Sequence, residues 1–374
     1  MTAGGGARVR RVVLLIGHLG MGGTQKQVAL LAQELRHAGT DVHVMVLSRG
    51  GPYEEVLHDA GIEVHRLGFG RGSRLGNARA CARLGGLVRR LAPEVLHAFL
   101  HEATLLGVPA ARLAGVPVVV AGRRNETRLS ATRPWSLALD RMAARMADHV
   151  VVNAAALAVD AHAMLRLPRQ KLTVIYNGLL PAAFDPAPPV EVRTALPVVA
   201  CVARLSAEKG HRHLLDAMAV LAHRGRPCTL VLAGDGPERA SLEKQAAAAG
   251  VDVRFLGATT GGAGLLARAD VVVLASLTEG LSNAVMEAMA AGRPVVATSV
   301  GGNPELLDGR GLLVPPADPA ALAEGVTRLL DDRDLAAGLA SAARAWAGKN
   351  LDPHAMADEH VRLYERLLRV RRAG

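Results

Sequence analysis

The sequence predicts an α/β protein made of two doubly wound domains, each a parallel sheet covered by helices on both faces. Three observations carry that expectation. The chain has 374 residues, and a single core stops growing at roughly 250–300. Short, uniformly apolar, β-branched runs alternate with amphipathic helical patterns, which marks strands buried on both sides and hence βαβ units. Between two such series lies a seventeen-residue stretch, 181–197, with prolines at 181, 186, 188, 189 and 197. That density disfavours both helix and central strand and reads as an interdomain linker.

Taken in order, the strand candidates of the first series are 11–16, 42–47, 62–67, 95–99, 117–121, 148–152 and 172–176. They resume after the linker at 197–203, 229–233, 253–256, 270–274 and 294–298. The expected division is 1–180 for the first domain, 181–197 for the linker, 198–352 for the second domain, and 353–374 for a helix that packs back on the first. In sheets of this kind ligands bind beyond the carboxyl ends of the strands, where the strand order reverses. Two such domains facing each other would make a central cleft.

Composition removes several function classes. Half of the residues are apolar and 21% are charged, so the chain is not disordered. Nine aromatics are too few for a platform that stacks single-stranded bases. Cys81, Cys201 and Cys228 are far apart and offer neither a disulfide framework nor a CxxC metal clip. No run of eighteen uncharged apolar residues is present, and the apolar run 12–16 is too short for a signal-peptide core. A cytoplasmic setting is expected. The net charge of +10 is uneven: residues 1–185 hold 23 Lys and Arg against 13 Asp and Glu, and 186–374 hold 21 of each. An anionic partner such as a membrane surface or nucleic acid would explain the excess, as would a solvated Arg-rich face.

Three constellations could carry chemistry. Gly17-His-Leu-Gly20-Met-Gly22-Gly23-Thr24 follows the first strand and opens a helix, where free N–H groups favour an anion. Its glycines lack the G-x-G-x-x-G spacing, and strand two ends at Leu47-Ser48-Arg49 without an acid, against a nicotinamide site. A tight turn is the plainer alternative. Arg204-Leu-Ser-Ala-Glu208-Lys209-Gly210 sets two cations at the carboxyl end of a strand, a spacing that suits a diphosphate clamp, or two solvated charges. Glu279-Gly-Leu-Ser-Asn-Ala-Val-Met-Glu287 puts one carboxylate in a loop and another about two turns into a helix, which taken alone could equally be an ordinary loop acid and a surface helical residue. A carboxylate can accept two hydroxyl hydrogen bonds, which suits a sugar diol. The backbone N–H groups of Leu281, Ser282 and Asn283 stand at the helix N-terminus.

Together these segments resemble the retaining nucleotide-sugar glycosyltransferases of family 4, which have the GT-B fold. The resemblance is strongest over 198–326, in VARLSAEKGH (202–211), LVLAGDGPER (230–239), FLG (255–257), the run 269–306 and GLLVPPADPAALAEGV (311–326), with YNGL (176–179) resembling the domain junction. Glu279 and Glu287 match the family's E-x7-E motif. The resemblance implies that Arg204 and Lys209 bind the donor diphosphate and stabilise the leaving group. Glu287 would hold the ribose and Glu279 the transferred sugar, with backbone contacts from Leu281, Ser282 and Asn283. Gly22 and Gly23 would lie beside the diphosphate and acceptor, and Asp235 and Leu256 near the base and ribose. His97 falls at the first His of the family's usual pattern and would contact the donor sugar; an ordinary partly buried histidine is the alternative. Glu102 and Thr104 stand where relatives often carry His and Asn, and His101 is one residue out of step. His101 and Arg124, the latter in Gly122-Arg-Arg-Asn125, could reach a phosphate or the acceptor, and Arg124 could equally be a solvated charge.

The implied activity is transfer of a sugar, with retention, from a nucleoside-diphosphate sugar (UDP favoured) to a hydroxyl of a lipid-linked, cell-envelope polysaccharide or small-molecule acceptor. A nucleotide-sugar epimerase or a non-catalytic subunit are the alternatives. No cofactor and no metal is expected, and Asp332-Arg333-Asp334 reads as a helix start. Arg123, Arg124, Arg128, Arg133, Arg141 and Arg145, with Trp135 and Leu137 nearby, make peripheral contact with an anionic membrane an expectation for the first domain, at its inner face. Nucleic acid is not expected.

Overall fold

The structure is a computed structural model and describes residues 9–70, 74–126, 134–185, 187–258 and 262–373. The chain forms two compact units: Met1–Gly178 together with Pro353–Gly374, and Leu179–Asp352.

The first unit holds a seven-stranded parallel sheet made of β1 (Arg11–Ile16), β2 (Asp41–Val46), β3 (Glu63–Arg66), β4 (Val95–Phe99), β5 (Val118–Arg123), β6 (His149–Val152) and β7 (Leu172–Val174). The strand order is β3-β2-β1-β4-β5-β6-β7. The helices between them are α1 (Gly23–His37), α2 (Pro52–Asp59), α3 (Arg74–Leu91), α4 (Leu100–Leu113), α5 (Pro134–Met146) and α6 (Ala155–Leu165). The central strands are buried on both faces, as their apolar runs require. At the edge, β3 is half-exposed, because it has a neighbour on one side only. Its sequence is accordingly the least apolar of the first series.

The second unit repeats the winding with six parallel strands: β8 (Val198–Val202), β9 (Thr229–Ala233), β10 (Val253–Gly257), β11 (Val271–Leu274), β12 (Val295–Thr298) and β13 (Leu312–Val314). Their order is β10-β9-β8-β11-β12-β13. Its helices are α7 (His211–His223), α8 (Arg239–Ala249), α9 (Gly262–Arg268), α10 (Asn283–Ala290), α11 (Asn303–Leu307), α12 (Pro319–Asp331) and α13 (Arg333–Asn350). Side chains start several of them. Asp318 accepts from Ala321 N–H at 2.9 Å with proline at the first helical position, and Asp332 accepts from Leu335 N–H at 2.9 Å. The D-x-D string is thus a helix cap.

The Pro-rich segment 181–197 is held against the second unit. Phe184 C=O accepts from Arg344 at 2.6 Å, and Val190 N–H donates to Gly264 C=O at 3.0 Å. The chain changes units earlier, at Gly178–Leu179, and again at Asp352–Pro353. The last helix, α14 (Pro353–Ala373), therefore belongs to the first unit. Met356, Leu363, Tyr364 and Leu368 enter the same core as Leu30 and Leu31 of α1. Burying each such side chain stabilises by roughly 1.5–3 kcal/mol.

Candidate functional site

Both sheets reverse their winding between the first and fourth strands, so each has a switch point at the carboxyl ends of those strands. In the second unit these are β8 and β11, and the two sequence constellations fall there. The loop after β8 carries Arg204 and Lys209; the loop after β11 carries Glu279. Close backbone contacts lock the loops together. Leu277 N–H donates to Glu208 C=O at 2.8 Å. Gly210, at φ +64°, lies so near Ala275 that an added Cβ would stand 2.0 Å from its carbonyl oxygen. Gly301, at φ +52°, meets the carbonyl of Glu279 in the same way, at 2.1 Å. Only glycine fits either place.

This frame presents a charged group. Lys209 Nζ donates to Glu279 Oε1 at 2.6 Å, and the Ser276 hydroxyl donates to the same oxygen at 2.7 Å. Glu279 is buried, where a carboxylate needs a partner to remain charged. An ammonium has three donors, so holding Glu279 uses one of them. Behind the pair, Ser206 Oγ donates to Glu208 Oε1 at 2.6 Å. Partial burial would push the Glu208 carboxyl up, but this hydroxyl and the charges of Lys209 and Arg204 hold it below its ordinary value. Arg204 is exposed on the same loop.

The remaining second-unit candidates lie on and just before α10, on the turn after β9 and on β10. Ser282 caps α10, its hydroxyl accepting from Val285 N–H at 3.3 Å. Leu281 is buried before it, and Asn283 and Glu287 are half-buried on the helix. The turn with Asp235 is bonded to the Arg204 loop, Leu205 N–H donating to Asp235 C=O at 3.1 Å. The Asp235 carboxylate is exposed and accepts from Gly236 N–H at 2.8 Å. Leu256 is exposed on the edge strand β10.

At the first unit's switch point, between β1 and β4, the Gly17–Gly22 loop meets the start of α4. Ser48 N–H donates to Gly17 C=O at 3.0 Å, and a Cβ on Gly17 would lie 3.5 Å from Glu102 Oε2. Gly22 caps α1 and Gly23 begins it. A Cβ on Gly22 would meet only the Gln25 side chain, which can move. Leu100, between β4 and His101, adopts φ +71°, a strained conformation for a branched side chain. His101 Nδ1 shares a 2.7 Å hydrogen bond with Asp140 Oδ1, and Arg123 donates to Asp140 Oδ2 at 2.6 Å. Asp140 is buried, whereas His101 keeps 24% of its side chain exposed.

Two expectations need correction. His97 is fully buried inside the first unit, stacked on Phe99 and hydrogen-bonded to Tyr364 Oη at 2.7 Å. In that position it cannot contact a donor sugar. Arg124 is also buried, donates to Asn177 Oδ1 and lies over the Phe99 ring at 5.5 Å. It does not present a cation to a phosphate. The cause is the same for both: α14 lays His360 and Tyr364 over this part of the sheet. Burial pushes the Arg124 guanidinium down to about 10 and the His360 imidazole to about 3, with Arg124 adding to the latter. Arg128 and Arg133 lie outside the described residues.

Comparison with known proteins fits this layout. Residues 21–181 match the model of glycosyltransferase family 4, and residues 196–332 match the model described as glycosyl transferases group 1. The 2-deoxystreptamine glucosyltransferase of Streptomyces kanamyceticus is 34% identical over 296 residues, covering 71% of this chain and 75% of the relative. This chain belongs to glycosyltransferase family 4. The transferase is also 30% identical over 391 aligned positions to the alpha-maltose-1-phosphate synthase of Mycolicibacterium smegmatis, covering 92% of this chain and 96% of that one. HepE of Anabaena, solved in complex with UDP, superposes with a TM-score of 0.80 at 23% identity, covering 94% and 99% of the two chains. The fold of the transferase is GT-B.

Sequence reasoning missed Ser276 and the Asp140 carboxylate that joins His101 to Arg123. Ser276 lies three residues before Glu279 in the same strand-end loop, a local signal that could have been read. Asp140 is 39 residues from His101, and no spacing rule connects them.

Proposed function

We propose that this transferase moves a sugar from a nucleoside-diphosphate sugar, with UDP the favoured nucleotide, to an acceptor hydroxyl with retention at the anomeric carbon. The observation that carries the reading is the Lys209–Glu279–Ser276 group at the switch point, in which Lys209 comes from the loop that also bears Arg204 and the other two from the loop after β11. In this reading Lys209 and Arg204 take the diphosphate, and their charge stabilises the leaving nucleotide as the bond from the anomeric carbon to the phosphate oxygen breaks. Glu279 orients sugar hydroxyls and Glu287 accepts from the ribose diol. The N–H groups at the start of α10 add to the anion site. A phosphate oxygen of the donor receives the acceptor proton as the new glycosidic bond forms on the same face. Two side-chain cations take the role that a divalent ion has elsewhere, so the reaction proceeds without metal.

His101 replaces His97 as the first unit's candidate for sugar contact, because it is partly exposed and oriented by Asp140. Gly22 and Gly23 remain the candidates beside the acceptor. The acceptor class is a lipid-linked sugar, an envelope polysaccharide or a small molecule; the 2-deoxystreptamine glucosyltransferase, by its name, uses the last kind. Among the described residues no helix is long and apolar enough to cross a membrane. Peripheral contact is supported by Trp135, Leu139 and Met142, which form one exposed apolar stripe on α5. That basic segment is narrower than the sequence implies, since Arg124 is buried and Arg123 is paired with Asp140.

A thermal-shift panel of UDP, GDP, ADP and TDP tests the donor. Ligand at about a hundred times its Kd stabilises the native state by roughly 2.7 kcal/mol, so UDP should raise the melting temperature most, and Glu287→Ala should diminish the rise. Melting that none of the four nucleotides alters would sink the proposal.

A further inference from the structure

A second cluster lies in the first unit at the amino-terminal side of β2, on the half of the sheet away from the Gly17 loop. Parallel pairing sets His43 beside Glu63 and Met45 beside His65. Residues in register, and residues two apart along a strand, share one face of a sheet. His43, Glu63 and His65 therefore converge on a single patch. Their donor atoms form a compact triangle. His43 Nδ1 lies 3.2 Å from His65 Nε2 and 3.6 Å from Glu63 Oε2, and His65 Nε2 lies 3.5 Å from the same oxygen. A tetrahedral ion bonded at about 2.1 Å holds its ligand atoms about 3.4 Å apart. The triangle already has the size of one face of such a shell.

The surroundings add a second, independent feature. The other ring nitrogen of His43, Nε2, stands 3.4 Å from Asp41 Oδ1, and Asp41 Oδ2 accepts from Arg11 Nε at 2.6 Å. A carboxylate behind a ligating imidazole fixes its tautomer and makes the ligand more basic. With the proton on Nε2 toward Asp41, Nδ1 is left to face the triangle.

We propose that His43, Glu63 and His65 bind a divalent transition-metal ion of the zinc type, with Asp41 as the outer carboxylate. Two imidazoles and one carboxylate suit such an ion better than Mg²⁺ or Ca²⁺, which prefer all-oxygen shells. Three protein ligands leave the fourth place to water. The ion fastens the half-exposed edge strand β3 to β2 and takes no part in sugar transfer.

Isothermal titration of the EDTA-stripped full chain with Zn²⁺ tests the site. The expected result is one ion per chain. Glu63→Gln and His65→Ala should each weaken binding at least about tenfold, and Asp41→Asn about 10–100-fold. Glu63 lies on the surface, so its replacement does not endanger the fold. Zn²⁺ should also raise the melting temperature of the wild type but not of His65→Ala, and Co²⁺ should give visible d–d bands that His65→Ala lacks. Absence of a stoichiometric ion, or equal affinity in wild type, Glu63→Gln and His65→Ala, overturns the proposal and leaves a hydrogen-bonded histidine pair beside a surface acid.

Discussion

Each sheet winds outward in both directions from its first strand, and each brings the loops after its first and fourth strands together. What stands on those loops differs. The first unit carries 28 Lys and Arg against 15 Asp and Glu, yet its switch point offers glycines, a partly exposed histidine and a buried carboxylate already shared by His101 and Arg123. The second unit has 16 Lys and Arg against 19 Asp and Glu, and its switch point holds Lys209 and Arg204. A domain with a slight negative excess cannot gather a diphosphate by its overall field. Binding there must rest on short-range, oriented donors, which salt screens far less than it screens distant charges. The positive excess of the first unit acts at longer range and fits a surface more than a pocket.

The largest expected effect tests where the chemistry resides. Lys209→Ala should lower turnover by about 10²–10³, the range for removing one preorganised charge-stabilising donor. His101→Ala in the first unit should cost less, because in the proposed reaction it would touch only the sugar. Equal losses, measured as nucleotide release with acceptor present, would erase the distinction between the two switch points.

Acid should separate the units next. Burial holds His97, His149 and His360 below their ordinary value in the first unit, with His149 at about 4 and His360 at about 3. In the second unit burial holds His211 at about 4. The unfolded chain takes up protons near pH 6.5 and the folded chain does not, so this stability is complete above pH 6.5 and is lost as the pH falls toward 4. Each unit of difference is worth about 1.4 kcal/mol. In sub-denaturing urea, β4 should therefore lose hydrogen-exchange protection between pH 7.5 and 5 more than β8 does, after correction for intrinsic rates. The reverse order would break the comparison.

The smallest effect concerns the exposed stripe. Trp135→Ser with Leu139→Ser should reduce co-sedimentation with anionic vesicles by about threefold to tenfold and leave nucleotide binding intact. Binding that ignores either the substitutions or the lipid charge would mean that the positive unit meets something else.

The parts of the molecule that were legible in the sequence are those where neighbours along the chain decide the outcome. Both strand series, the Gly17 loop, the cation loop and the Glu279 loop each sit at a strand end, and apolar runs locate strand ends. β13 escaped notice because a three-residue strand between glycine and two prolines has no period to detect. The prolines of 181–197 argued against helix and central strand, yet Pro181–Phe184 form a 3₁₀ turn, and the segment's backbone contacts with Arg344 and Gly264 depend on packing that no local pattern reports. His97 and Arg124 were misjudged for the same reason. Their surroundings come from a helix that begins 229 residues beyond Arg124 in sequence, and His97 with Tyr364 spans 267 positions. No local pattern reports that.

The route of the chain through the two units has a consequence for its synthesis. The whole of Leu179–Asp352 must be made between the body of the first unit and α14. At about 5–20 residues per second, the emerging first unit waits roughly 10–35 s with the apolar seat of Met356, Leu363, Tyr364 and Leu368 unfilled. The second unit is continuous and can close as soon as it leaves the ribosome. The first unit to be translated is thus the last to be finished, and in the interval its uncovered seat is a natural place for a chaperone to bind.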